Sequence, residues 1–243
     1  MSGVLSVIIP AYNEERFIGT LLEKVLAVDL SLRGITKEIV VVNDCSTDRT
    51  AEIVSGFDGV ILHTLPRNSG KGAAVRAGLA RATGDYLIIQ DGDLEYDPAD
   101  YGPMIDALLA DTRVAAVYGS RYLKHPGRGT LVNLFTGKHR NQSLTAYLGG
   151  QSLSFIALAC TGRYLTDTVT ALKLFRRGVI TPLTLETAGF ELDHEISAKV
   201  LAAGGAIKEV PIRYFPRSRK EGKKIGARDW FRALKTFTRY RNG

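Results

Sequence analysis

Short, unbroken apolar runs recur along the first half of the chain and alternate with stretches of helical spacing. Val4–Ile9, Glu38–Val42, Val60–His63, Asp85–Gln90 and Val114–Tyr118 are too short for helices and lack an exposed face, which predicts strands covered on both sides. Between them, Glu14–Val28 sets Phe17, Leu21, Leu22, Val25 and Leu26 at helical spacing. Asp48–Val54 opens on acids, Gly70–Ala82 is alanine-rich, and Pro98 begins a further helix. Strands alternating with helices in this way predict an α/β fold with a mostly parallel sheet and right-handed crossovers. The rhythm breaks at Gly119, and residues 120–165 show no clear strand period. Beyond them the pattern predicts an amphipathic helix over Glu191–Ala203, a strand over Ala206–Tyr214 and a short basic-aromatic helix over Asp229–Tyr240. No repeat or low-complexity linker divides the chain, so residues 1–243 are expected to form one domain whose job changes near residue 120.

Composition adds limits. With 243 residues, 45% apolar and 23% charged, the chain can bury a sizeable single core. Two cysteines, Cys45 and Cys160, and four histidines exclude a disulfide framework and a conventional structural zinc site. A reducing compartment is expected. The first residues lack a basic region and Pro10 ends their apolar run, so no signal peptide is expected. No stretch reaches the roughly 18 apolar residues of a spanning helix; Leu153–Cys160 is at most a buried or interfacial segment. The charge of +7 is unevenly spread, because residues 213–241 hold eleven Lys/Arg against Glu221 and Asp229, a net +9, and the rest is −2.

In an open parallel sheet ligands sit outside the carboxyl ends of the strands. Here those ends carry Pro10-Ala11-Tyr12-Asn13-Glu14, Asn43-Asp44-Cys45-Ser46-Thr47-Asp48 and Asp91-Gly92-Asp93-Leu94-Glu95. Asp48 reads as a helix cap. Asp91, Asp93 and Glu95 would repel one another unless a cation joined them, and Mg2+ takes such ligands together with substrate phosphates. Arg67–Ala74 is glycine-rich and opens a helix, a setting able to offer backbone N–H groups to an anion, although it lacks the P-loop spacing.

The ordered series V-I-I-P-A-Y-N-E-E, V-V-N-D-C-S-T-D, R-N-S-G-K-G-A-A, Q-D-G-D-L-E-Y-D-P, Y-G-S-R, L-T-D, G-F-E-L-D-H-E-I-S-A-K and E-G-K-K-I resembles the family 2 glycosyltransferases, and among them the dolichol-phosphate mannose synthase-like, polyprenyl-phosphate sugar transferases. The resemblance implies a glycosyltransferase A fold, Rossmann-like, with a nucleotide-sugar half at 1–119, an acceptor half at 120–212 and a basic loop and interfacial helix at 213–243. It implies a donor pocket of Pro10, Ala11, Tyr12, Glu14, Asp44, Lys71, Asp91 and Asp93, closed by Arg217 and Lys223. Asp91 and Asp93 match the D-x-D pair that meets Mg2+ or Mn2+; Glu95 stands where mannose synthases often have Gln. Arg121 matches an arginine that holds the acceptor phosphate. Gln151 occupies the place of a second such arginine, for which Arg140 is a substitute. Cys45 replaces a usual glycine.

These residues imply inverting transfer of a sugar from a UDP- or GDP-sugar to a polyprenyl or dolichyl phosphate. A phosphate acceptor needs no protein base. A sugar hydroxyl would, and Asp167 and Asp193 are then the candidate catalytic carboxylates, with a helix cap and a solvated helix face as their structural alternatives. In the tail, Trp230, Phe231, Phe237 and Tyr240 interleave with Arg232, Lys235, Arg239 and Arg241, which suits peripheral attachment to an anionic membrane from the cytoplasmic side. No nucleic acid is expected: a non-catalytic nucleic-acid binder would explain the tail but not the acidic cluster. A nucleotidyltransferase would carry a G-x-G-T-R/L-like loop where this chain has P-A-Y-N-E-E.

Overall fold

The computed structural model describes residues 3–123, 144–216 and 227–240, with 144–146 and 227–229 as backbone alone, and a seven-stranded sheet organises it. The strands are β1 (Gly3–Ala11), β2 (Ile35–Asn43), β3 (Val60–Thr64), β4 (Tyr86–Ile89), β5 (Val114–Ser120), β6 (Lys173–Arg176) and β7 (Ala206–Pro211). They lie in the order β3-β2-β1-β4-β6-β5-β7, and only β6 runs against its neighbours. Alternation along β1 serves two cores. Leu5, Val7 and Ile9 join one with Ile39 and Val41, while Ile8 faces the other with Leu87 and Ile89.

Helices α1 (Ile18–Ala27) and α4 (Tyr101–Leu109) cover the first face through Leu21, Leu22, Val25, Met104 and Ile105. Lys37 closes the end of α1 by donating to the carbonyls of Val25 and Leu26, each at 2.7 Å. The second face carries α3 (Lys71–Leu79), the short α6 (Arg177–Ile180) and α7 (Leu192–Ala202). Helix α2 (Thr50–Ser55) follows β2, with Asp48 accepting from the Thr50 amide at 3.0 Å just before its first turn.

Two elements lie in or beyond the stretch without a strand period. Helix α5 (Leu144–Thr161) carries Leu153–Cys160, and its Leu148, Phe155 and Leu158 are exposed on one stripe. Strand β6 has four residues, two of them cations, so the apolar residues around it are broken by charge and do not read as a strand. Helix α8 (Ala227–Arg239) packs on α5 and α7.

The expected tail divides here. Phe237 and Tyr240 are buried beside Ala157 and Ala198, and Trp230 donates to Ser152 Oγ at 2.9 Å. Only Phe231 of the four aromatics is exposed, beside exposed Arg232 and Lys235. Helix α7 also departs from expectation. It is enclosed nearly all round, with Asp193, His194, Glu195 and Ser197 buried, because its polar residues serve as internal partners rather than as a solvated face.

Candidate active site

Strand order reverses between β1 and β4, so the ends of β1, β2 and β4 border a crevice. The loops there hold Asn13, Cys45 and Leu94 at φ 54°, 58° and 60°, the left-handed region that strains L-residues. Cys45 thus sits where the backbone itself favours glycine. Asn13 ties the first two loops together: its amide donates to Ser46 Oγ at 3.0 Å and its Oδ1 accepts from the Thr47 amide at 2.8 Å. Pro10 and Ala11 end β1, Glu14 is buried, and its amide donates to Thr50 Oγ1 at 2.8 Å. Tyr12 lies in the same loop.

The glycine-rich turn is wired differently from an anion nest. Asp44 accepts from the amides of Ser69 at 2.7 Å and Gly70 at 2.8 Å, and the Gly72 amide donates to the Ala188 carbonyl at 2.6 Å. Three of the turn's N–H groups are therefore spent within the protein. Glycine is required because a Cβ on Gly70 or Gly72 would strike the 187–188 backbone, and Gly70 also has φ +88°.

Lys71, first residue of α3, joins three elements. Its Nζ lies 2.8 Å from Asp91 Oδ1 after β4 and 3.1 Å from Asp193 Oδ2 on α7, and Lys173 Nζ on β6 lies 3.0 Å from Asp193 Oδ1. Burial alone would raise the Asp193 pKa, but the two ammonium groups outweigh it and hold the carboxyl below the usual aspartate value. Burial likewise opposes the charge on Lys71, and Asp193 and Asp91 overcome it, so its pKa rises.

The acidic motif does not stay together. Leu94, left-handed and packed toward the core, turns the chain so that Glu95 is buried and accepts from Tyr214 Oη at 2.9 Å, while Asp93 Oδ1 accepts from the Glu95 amide at 3.2 Å. Among the described residues no three His, Cys, Asp or Glu side chains are grouped to hold a metal ion. Asp91 and Asp93 remain as two hard oxygen donors at the crevice, which fits Mg2+ or Mn2+ when substrate phosphates and water supply the other ligands.

Across the crevice, Arg121 follows β5 and meets Asp167 in a two-pronged pair, Nε to Oδ2 at 2.6 Å and Nη2 to Oδ1 at 2.7 Å. The rings of Tyr122 and Tyr214 flank the guanidinium with centroids 5.4 and 5.0 Å away. Glu209 on β7 anchors this pair from behind, accepting from the Thr166 amide and hydroxyl at 2.8 Å and the Asp167 amide at 3.0 Å. Burial pushes the Glu209 carboxyl up to about 7 despite those donors. Gln151 is buried in α5 and accepts from Tyr164 Oη at 3.0 Å. Arg140, Arg217 and Lys223 lie outside the described residues.

Sequence reasoning missed Lys173, Glu209 and Tyr214. One signal for the first was available: a lysine inside Ala171–Phe175, an otherwise apolar run, must find a partner if the run is buried.

The family model of glycosyl transferase family 2 matches residues 6–177. The chain is 32% identical over 225 residues to a dolichol-phosphate mannosyltransferase of Pyrococcus furiosus, covering 91% of this chain and 59% of that protein. It is 38% identical over 130 residues to a dolichyl-phosphate beta-glucosyltransferase of Trichomonas vaginalis, covering 49% and 40%. An undecaprenyl-phosphate 4-deoxy-4-formamido-L-arabinose transferase of Pectobacterium carotovorum matches at 28% over 184 residues, covering 74% and 50%. The chain thus spans about half the length of these relatives. Among solved structures, glucosyl-3-phosphoglycerate synthase of Mycobacterium tuberculosis, in complex with Mn2+, uridine diphosphate and phosphoglyceric acid, superposes with a TM-score of 0.71. At 18% identity, covering 98% of this chain and 78% of that one, it shows a common glycosyltransferase A fold.

Proposed function

The chain belongs to glycosyl transferase family 2, and we propose that it transfers a sugar, with inversion, from a nucleotide-diphosphate sugar to a polyprenyl or dolichyl phosphate at a membrane surface. The relatives named for lipid-phosphate acceptors support this reading. One observation carries the choice of acceptor. Both candidate bases are already bound to buried cations, Asp167 to Arg121 and Asp193 to Lys71 and Lys173. Both oxygens of each carboxylate are engaged by those cations, so a sugar hydroxyl would find neither free to receive its proton.

A phosphate monoester brings its own charge. Its second pKa is about 6, so at pH 7 it is largely dianionic and already nucleophilic. The chain then has only to position it for in-line attack, with Arg121 and Arg140 as the proposed phosphate holders and Asp167 orienting the Arg121 guanidinium. On the donor side, this reading assigns Pro10, Ala11, Tyr12, Glu14 and Asp44 to the nucleotide, and Lys71 with Arg217 and Lys223 to the diphosphate. Asp91 and Asp93 would hold Mg2+ or Mn2+, which when bound neutralises charge growing on the departing nucleoside diphosphate.

For the membrane, α5 contributes Leu148, Phe155 and Leu158, and α8 contributes Phe231 with Arg232 and Lys235. None of the described helices is long and apolar enough to cross a bilayer. In this reading attachment is peripheral, on the cytoplasmic face.

The test is product formation from labelled UDP- and GDP-sugars with a polyprenyl phosphate in detergent or vesicles. Labelled lipid-linked sugar that disappears with EDTA is expected. Transfer in full with EDTA present would overturn the metal role, and no lipid product from either donor class would overturn the function.

A further inference from the structure

Four alternating charges run in line from the core to the crevice. Lys173 has no exposed side-chain surface, Asp193 has 7%, Lys71 10% and Asp91 21%. The innermost member is also held by the Thr170 carbonyl and lies 5.0 Å from the centre of the Tyr118 ring. A buried ion pair is a weak contributor to stability, since well-packed apolar residues of similar size do as well or better. Its presence at the root of this line calls for a role at the exposed end.

That role follows from geometry. An isolated Lys71 would have a long flexible side chain and a choice of partners. With Lys173 fixing Asp193 Oδ1, the other carboxylate oxygen is presented to Lys71 Nζ, which is thereby set 2.8 Å from Asp91. We propose that Lys173 and Asp193 are positioning residues that fix the Lys71 ammonium as the chain's own cation for the donor diphosphate. This rests on the sugar-transfer reading. Lys71 keeps Asp91 neutralised while the crevice is empty of donor. When the donor arrives, its ammonium keeps Asp193, exchanges the Asp91 carboxylate for diphosphate oxygen, and leaves Asp91 available to a divalent ion. Asp193 in this role takes no proton from the acceptor.

The experiment measures binding of UDP and GDP with Mg2+ by calorimetry, without acceptor or turnover, to the full chain and its variants. Lys173→Met and Asp193→Asn are each expected to weaken the bound nucleoside diphosphate about tenfold, the scale of one charge-assisted hydrogen bond. In a Lys71→Met background, Lys173→Met is expected to have no further effect, whereas a merely structural lysine would weaken binding equally with or without Lys71. The double variant Lys173→Met/Asp193→Leu removes both buried charges together; it serves if the single lysine variant fails to fold, and is expected to lose no more than Asp193→Asn. Unchanged affinity in folded variants would overturn the proposal and leave the transferase reading intact. So would an Asp193→Asn variant that binds normally in calorimetry and, assayed separately with a polyprenyl phosphate, loses turnover about a thousandfold, the mark of a catalytic base. A wild-type chain that binds neither nucleotide would overturn both.

Discussion

At the end of β4, Asp91 keeps 21% of its side chain exposed and shares its ammonium partner Lys71 with Asp193, whereas at the end of β5 the Arg121–Asp167 pair is 10% and 0% exposed and closed by two parallel hydrogen bonds. The first arrangement is a chain of single contacts that can exchange one partner without leaving a charge bare. The second is a locked fork, with the Tyr122 and Tyr214 rings within 5.4 Å of the guanidinium, rooted in Glu209. In the proposed reaction the donor side must accept and release a diphosphate in each cycle, while the acceptor side must hold one guanidinium in one orientation. Exchange and rigidity are thus built from aspartate–cation pairs that differ in the cation, a lysine ammonium against an arginine fork, and in the number of bonds per pair.

The strongest way to break this comparison is to remove one cation from each side. Arg121→Ala strands a buried carboxylate and is expected to cost about 3–5 kcal/mol of stability in urea denaturation. Lys71→Met is expected to cost about 1 kcal/mol, because Asp193 keeps Lys173 and Asp91 reaches water. Equal losses would contradict the contrast.

Next in size is the pH response of the locked side. Glu209 has an ordinary value of 4.5 and is raised to about 7 in the fold, so it favours the folded state when protonated. That contribution is fully present below 4.5 and disappears as pH rises through about 7. Between pH 4.5 and 8 the wild type should therefore lose roughly 3 kcal/mol relative to Glu209→Gln. Parallel stability curves for the two proteins would remove Glu209 as the root of the acceptor side.

A smaller effect concerns the surface beyond both sides. Arg232→Glu/Lys235→Glu should weaken binding to anionic vesicles at least tenfold, from about 1 kcal/mol per basic residue, without unfolding α8. Deleting the helix would be less informative, since Phe237 and Tyr240 belong to the core. Vesicle binding unchanged by the charge reversal would remove this face from the account. The smallest effect is on the donor side. Cys45→Gly relieves a left-handed residue at φ 58° and should stabilise the chain by about 1 kcal/mol in denaturant titration.

The half of the chain proposed to hold the donor was legible in the sequence because its signals are local. β1, β2, β4 and β5 are apolar runs, and Asp44, Asp91 and Asp93 follow them directly. Partnership was not legible. The cations that occupy Asp91, Asp193 and Asp167 come from positions tens of residues away, and β6, which delivers Lys173, is four residues long with charge at two of them. The polar face of α7 looked solvated because its buried partners lie on α3, β6 and the 186–187 turn. The basic-aromatic pattern of the tail concealed a division, since Phe237 in α8 and Tyr240 just after it pack inward while Phe231 stays outside. In each case the residue types were visible and their neighbours were set by tertiary contacts.

In the proposed reaction the acceptor, not the protein, supplies the nucleophile's charge. This is tested most directly by turnover at saturating donor with a polyprenyl phosphate and with the corresponding free alcohol, for the wild type and Asp193→Asn. Transfer to the phosphate alone is expected, with the turnover of Asp193→Asn within about tenfold of wild type. Comparable transfer to the alcohol, or loss of turnover by roughly 10²–10⁴ in Asp193→Asn as expected for a missing general base, would contradict it.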